Sequence, residues 1–247
     1  MKVSIITATY NSAATISDTL KSVACQSYND IEHIIVDGLS KDSTLTVVST
    51  FNHIAKVKSE KDNGIYDAMN KGIAMCTGEI IGILNSDDFY VSDTVISDVV
   101  SVFDADPNVQ CLYADLMYVD ADDTNKIVRK WISGPYTDDA FLYGWMPPHP
   151  TFFVRRDLYQ RYGTFHTSLS TAADYELMLR FLYLHKASCK YLPKTIIKMR
   201  AGGASNQSLK ARWNANQQDK LAWSINGMTP KWYTLILKPL RKLIQYF

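Results

Sequence analysis

Two adjacent carboxylates, Asp87 and Asp88, follow the apolar run from Glu79 to Leu84. Such a pair at the end of a buried strand is electrostatically costly unless a cation neutralises it. Oxygen ligands suit Mg²⁺ or Mn²⁺, and these ions bridge protein carboxylates to substrate phosphates. A solvated turn that caps the next helix would use the same two residues with no ion, so the pair alone leaves both readings open. Asp37 closes a second apolar run. It can accept a hydrogen bond from a base N–H or a ribose hydroxyl, or cap the turn before Gly38. Thr9, Tyr10 and Asn11 end the first run, where they can stack on and hydrogen-bond a base or form an ordinary turn. Asp62, Tyr66 and Asn70 recur every four residues and share one helical face, with Asp67 and Lys71 beside them. Such a stripe is either solvated or turned toward a crevice. Asp174 follows small residues and precedes Leu177, Met178 and Leu179. It is either a helix N-cap or a general base that takes a proton from an attacking hydroxyl.

These residues must be positioned by something, and the hydropathy pattern supplies it. Val3–Ala8, Ile31–Val36, Ile54–Lys58 and Glu79–Leu84 are short apolar runs with strand character. Between them lie helical spacings: Ile16, Leu20 and Val23 after a cap at Asn11 or Ser12, a segment from Ser40 or Asp42 to Phe51, and Gly64–Met75. Ser92 offers a cap for a helix after the fourth run. Alternating strands and helices with near-continuous apolar strands predict an α/β fold, a mostly parallel sheet with helices on both faces. Ligands bind beyond the carboxyl ends of such strands, and all four polar clusters fall there.

The second half is less regular. Val109–Val119 and Ile127–Trp131 read as paired strands, and Met146–Pro150 as a stiff loop. Thr151–Val154 reads as a strand, Arg155–Tyr162 and Asp174–Leu184 as helices, and Ser188–Met199 as a strand broken at Pro193. Ala201-Gly202-Gly203-Ala204 is a loop. The remainder is helical, with a break near Gly227 and Pro230.

A chain of 247 residues fits one large domain, or one domain with a modest extension. A net charge of +1 argues against a general nucleic-acid binder. Cys25, Cys76, Cys111 and Cys189 are far apart in sequence, so they are expected as reduced packing residues rather than a zinc site. No stretch reaches the roughly 18 apolar residues that span a bilayer. The expected location is the cytoplasm, or the cytoplasmic face of a membrane.

Taken together, Val3–Asn11, Ile35–Gly38, Asp62–Gly72, Gly78–Asp88 and Ala173–Leu177 resemble, in order and spacing, the family 2 glycosyltransferases of the GT-A fold. The resemblance covers most of residues 1–205. It implies a GT-A domain over 1–205, with a nucleotide-binding half (1–105) and an acceptor half (106–205), followed by a C-terminal helical extension over 206–247. It implies inverting transfer of a sugar from a nucleotide-sugar, usually a UDP-sugar, to an acceptor hydroxyl on a lipid-linked or growing surface glycan. By the resemblance Thr9, Tyr10 and Asp37 would hold the nucleotide base and ribose, and Asp87 the diphosphate; Thr7, Asn11, Asp62, Tyr66, Asn70 and Lys71 are candidate donor contacts beside them, and Arg200 either contacts the diphosphate or simply ends a strand. Asp88 and Asp87 would hold Mn²⁺ or Mg²⁺, with Asp88 the direct ligand, and Asp174 would be the base. The ion would stabilise charge on the leaving diphosphate, so no acid is needed there. His149 could be an acceptor contact, a metal ligand or a structural histidine. Trp145 and Tyr143 could stack on a sugar or belong to the core. The pattern departs from the family at Gly38, where many relatives have a second acid, and at Asn85, where the metal motif usually begins with an acid.

Residues 231–247 contain Lys231, Lys238, Arg241 and Lys242 but no acid. Ile236, Leu240, Leu243, Ile244 and Phe247 recur at helical spacing, with Trp232, Tyr233 and Tyr246 near them. This pattern suits an anionic membrane surface, a second subunit or the protein's own core. Pro239 would interrupt this helix or start its last segment. Two other functions compete with sugar transfer. A sugar-phosphate nucleotidyltransferase would need a Gly-rich, Arg-containing loop where Tyr10-Asn11-Ser12-Ala13-Ala14 stands. A non-catalytic glycan-binding protein would not need Asp37, Asp87, Asp88 and Asp174 together. A nicotinamide enzyme would show G-x-G-x-x-G after a strand, and the sequence has none.

Overall fold

The structure is a computed structural model that describes residues 1–202, 209–241 and 245. Its first half alternates strand and helix: β1 (Val3–Thr9), α1 (Ile16–Ala24), β2 (Ile31–Asp37), α2 (Thr44–Val48), β3 (Ile54–Ser59), α3 (Ile65–Met75) and β4 (Ile80–Ile83). Then come β5 (Phe89–Tyr90), α4 (Val95–Ala105), β6 (Cys111–Val119), β7 (Ile127–Trp131), β8 (Phe153–Arg155), α5 (Arg156–Tyr162), α6 (Ala173–Met178), β9 (Cys189–Arg200), α7 (Leu209–Ile225) and α8 (Thr234–Arg241). The strands form one sheet in the order β3-β2-β1-β4-β8-β6-β9-β5, with β7 beside β6.

The β3-β2-β1-β4 half is wholly parallel, and every residue of β1 is buried. Burial on both faces explains the uninterrupted apolar runs. Helix α1 turns Ile16, Leu20 and Val23 inward, and α3 turns Ala68, Met69 and Ile73. A Cβ at Gly72 would stand 2.4 Å from Ile6 Cγ2, so α3 lies directly against β1 at that point. The other half is mixed. β8 runs antiparallel to both β4 and β6, while β6 and β9 form a long parallel pair. Pro193 does not break β9. The β6–β9 register instead skips from Leu192 to Thr195, a bulge that leaves the donorless proline unpaired.

Three expected caps are not used, and one helix ends early. Helix α1 starts after Thr15, while Asn11 takes a left-handed conformation (φ 50°). Helix α2 stops at Val48 instead of reaching Phe51. The Ser49 and Thr50 hydroxyls bond back to the carbonyls of Thr46 and Val47, competing with helical pairing. The short strand β5 intervenes after Asp88, so α4 follows Thr94, not Ser92. Asp174 lies inside the first turn of α6, which starts after Ala172 and continues as a π-helical turn over Leu179–Leu184.

Helices α7 and α8 rest on α6. Trp223 is buried, and its indole N–H donates to Tyr175 Oη at 2.9 Å. Lys238 Nζ lies 3.5 Å from the centre of the Tyr175 ring, and Thr234 Oγ1 donates to the Leu142 carbonyl at 2.6 Å. One face of α8 is therefore seated on the protein's own core, and Pro239 lies within the helix. Among the described residues no helix is long and apolar enough to cross a membrane, and the four cysteines are free. Gly203 and Ala204 of the expected loop lie outside the described residues. So do Lys242, Leu243, Ile244, Tyr246 and Phe247 of the amphipathic tail.

Candidate active site

Parallel pairing aligns the ends of β1 and β2, with Thr9 opposite Asp37 and Asp37 opposite Ser59 of β3. Asp37 is fully buried. It accepts hydrogen bonds from Ser40 N (3.1 Å), Ser40 Oγ and Ser59 Oγ (2.6 Å). A Cβ at Gly38 would stand 2.4 Å from Asp62 Oδ2 and 3.5 Å from the Tyr10 ring. Tyr10, Gly38 and Asp62 therefore meet in one crevice, and the Asp62 carboxylate fills the place where a side chain at 38 would begin. Tyr10 is 56% exposed, so its face is open to a ligand. The turns here are conformationally forced: Asn11 and Leu39 are two of three non-glycine residues with positive φ among those described. Such strain persists where surrounding structure imposes it. Asn11 helps impose it, since its Oδ1 accepts from Lys41 N and its N–H donates to Ser40 Oγ.

Next to this crevice, beyond β4, stands the carboxylate pair. Asp88 is fully buried. Its Oδ2 accepts from Asn85 Nδ2 at 2.9 Å, while its Oδ1 has no hydrogen-bond partner. Burial, then the charge of Asp87, pushes the Asp88 carboxyl well above the usual range, against the pull of Asn85 and Arg200. Burial also raises Asp87. Thr9 Oγ1 and Asn85 Oδ1 are likewise buried without partners. Buried polar atoms are nearly always paired, so three such atoms at one sheet edge mark a place built for something polar. A divalent ion fits there: it would neutralise the pair and engage the free Asp88 oxygen. Among the described residues no three His, Cys, Asp or Glu side chains gather into an ion site. Asp87 and Asp88 would therefore share the ion with water and substrate phosphate, as Mg²⁺ and Mn²⁺ sites commonly do. Arg200, from the far end of β9, donates to the Asp87 carbonyl at 2.7 Å and pairs with Asp18. It brings a cation to the same edge.

Asp174 is tied to α3 through Tyr66. Its Oδ1 accepts from Tyr66 Oη at 3.2 Å and from Tyr175 N at 2.8 Å. Tyr66 stacks on Phe165, and His149 meets the same ring edge-on. Burial pushes the His149 pKa down, partly opposed by the charge of Asp174.

Several predicted site residues are engaged elsewhere. Thr7 is buried within β1, 3.1 Å from His33 Nε2, because it points into the sheet's flank rather than over its edge. Asn70 clamps Phe165, accepting from its N–H and donating to its carbonyl, both at 2.9 Å. Lys71 turns to the Lys61 carbonyl, Glu60 and Asp67. Trp145 is core, with its indole N–H donating to the Ser133 carbonyl. Phe165 was not singled out in the sequence, and nothing in the Gly163-Thr164-Phe165 segment signals its contacts. Ser40, read from the sequence as a helix cap, instead bonds back to Asp37 three residues earlier through both its N–H and its hydroxyl.

The family described as Glycosyl transferase family 2 matches residues 4–163, well over half the chain. The chain belongs to glycosyl transferase family 2. A PGL/p-HBAD biosynthesis glycosyltransferase of Mycobacterium tuberculosis is 29% identical over 213 residues, covering 82% of this chain and 78% of that protein. Two solved structures have the same fold. S. aureus TarS 1-349 in complex with UDP-GlcNAc superposes with a TM-score of 0.67 at 20% identity, covering 88% of this chain and 65% of that one. The mannosyltransferase PcManGT from Pyrobaculum calidifontis, in complex with GDP-Man and Mn²⁺, superposes at 0.67 and 20% identity, covering 98% and 69%. This family 2 chain is a glycosyltransferase of the GT-A fold, as its sequence motifs implied.

Proposed function

We propose that this glycosyltransferase moves a sugar, with inversion, from a UDP-sugar to a hydroxyl of a lipid-linked or growing glycan. The observation that carries the reading is the buried Asp87–Asp88 pair with its unpartnered Asp88 oxygen, beside the exposed Tyr10 face. The base stacks on Tyr10, and its edge or the ribose meets Asp62 and the Asp37 turn. Arg200 lies where it can meet the diphosphate. Asp87 and Asp88 would hold Mn²⁺ or Mg²⁺, an ion that would supply stabilisation of negative charge on the nucleoside diphosphate. Asp174 accepts the proton as the acceptor oxygen bonds to the anomeric carbon and the carbon–diphosphate bond breaks. The nucleotides in the two solved neighbours support a nucleotide-sugar donor.

The outward residues of the C-terminal helix support a membrane-facing position for a lipid-linked acceptor. Trp232, Ile236 and Leu240 are exposed, and Lys231 is beside them. Asp88→Ala is expected to abolish Mn²⁺-dependent UDP binding in calorimetry. Asp174→Asn is expected to bind UDP as the parent does but to turn over about 10²-fold more slowly. Near-normal turnover of the second variant would remove Asp174 from the role of base.

A further inference from the structure

The two oxygens of Asp174 have different surroundings. Oδ1 takes two donors, the Tyr66 hydroxyl and the Tyr175 backbone N–H, while Oδ2 accepts no hydrogen bond from the described residues. Tyr66 belongs to the first turn of α3, in the nucleotide-binding half, and 108 positions separate it from Asp174. Its ring is stacked on Phe165, with centroids 5.5 Å apart and planes at 27°. Phe165 is itself fixed by the paired Asn70 bonds to its backbone and by the edge of His149. Helix α3 thus grips the acceptor half twice, at Phe165 through Asn70 and at Asp174 through Tyr66. Burial, then the charge of Asp174, pushes the Tyr66 phenol above its ordinary value, so it stays protonated and donates.

We infer that Tyr66 is a positioning residue that fixes Asp174 through Oδ1, leaving Oδ2 as the atom that takes the acceptor proton. The inference rests on the reading of Asp174 as the base. In the step itself, the acceptor O–H bond breaks and its proton passes to Oδ2. The oxygen forms its bond to the anomeric carbon, and the carbon–diphosphate electron pair leaves with the nucleoside diphosphate. Tyr66 keeps its own proton throughout. It prevents rotation of the carboxylate, and a base held in place contributes more than one free to turn. On this inference Tyr66 and Asn70 link the two halves of the site, in place of the donor contacts expected of them from the sequence.

The test is a double-mutant cycle between Tyr66→Phe and Asp174→Asn, with kcat, donor KM and Mn²⁺-dependent UDP affinity measured for each enzyme. Phenylalanine retains the ring on Phe165 and removes only the hydroxyl. Tyr66→Phe is expected to lower kcat by about 10- to 10²-fold, the range for a lost hydrogen bond to a charged group, with donor KM and UDP affinity unchanged. Adding Tyr66→Phe to Asp174→Asn is expected to lower kcat no further, because the hydroxyl acts only through the carboxylate. A parent-like kcat for Tyr66→Phe, or two effects that multiply in the double variant, would overturn the inference while leaving Asp174 as the base. A parent-like kcat for Asp174→Asn would overturn the base assignment and this inference with it. A raised donor KM in Tyr66→Phe would return Tyr66 to donor binding.

Discussion

Asp88 and Glu176 are both fully buried acids, one in each half of the molecule, and the chain treats them in opposite ways. Glu176 is saturated. Arg180 meets it with Nε and Nη2, each at 2.9 Å, and Asn226 adds a third donor at 3.0 Å. Arg180 in turn donates to the carbonyls of Tyr162 and Thr164, so the pair ties three segments together behind α6. Asp88 has one side-chain amide bond and a second acid beside it, with Arg200 opposing that acid, and one of its oxygens has no side-chain partner. A buried charge that is fully paired serves the fold, whereas one left half-paired is kept at a cost and marks where a ligand completes the structure.

The largest test of this contrast is Glu176→Ala. It strands the buried Arg180 guanidinium and is expected to cost about 3–5 kcal/mol in urea unfolding, the usual result of removing one partner of a buried ion pair. A loss below about 1 kcal/mol would show that Arg180 finds other partners and would weaken the contrast. The second test uses pH. His33 is buried between Thr7 Oγ1 and His53 Nε2, and burial, then the neighbouring His53, lowers its pKa to about 3. The unfolded chain takes up this proton near pH 6.5, so stability is present above that value and is lost as pH falls toward 3. The slope is at most about 1.4 kcal/mol per pH unit for one group. Urea midpoints at pH 7 and 5 should differ less in His33→Gln than in the parent. The third test is Asp88→Asn without divalent ions, which relieves an unpaired charge and is expected to stabilise by about 1 kcal/mol. Destabilisation would mean that the carboxylate supports the fold as Glu176 does. The smallest effect is expected from Lys71→Met. Its ammonium is occupied by Glu60, Asp67 and the Lys61 carbonyl, so UDP affinity should match the parent.

The parallel half was legible because strands buried on both faces leave continuous apolar runs, and their ends must carry the polar clusters. The other half was less so, because β8 is three residues long and its antiparallel place between β4 and β6 has no local signature. Site residues divided in the same way. Tyr10, Asp37, Asp62, Asp87 and Asp88 sit at strand ends or in the turns beyond them, a property that sequence reveals. Helical spacing put Tyr66, Asn70 and Lys71 on α3, but it also put Asp62 there, which lies ahead of the helix start at Ile65. It could not show that Asn70 faces Phe165, 95 positions away, or that Lys71 closes on Glu60. Asp174 reads as a helix cap or a base, and the sequence could not show that Tyr66, from another helix, joins the Tyr175 N–H on one of its two oxygens.

The close approach of Asp62 to Gly38 also has an evolutionary consequence. Two side chains compete for one volume, so a lineage that acquires an acid at 38 must first shorten or redirect the residue at 62. A relative with a side chain at 38 is therefore expected to hold the residue at 62 turned aside or shortened, although 24 positions separate the two.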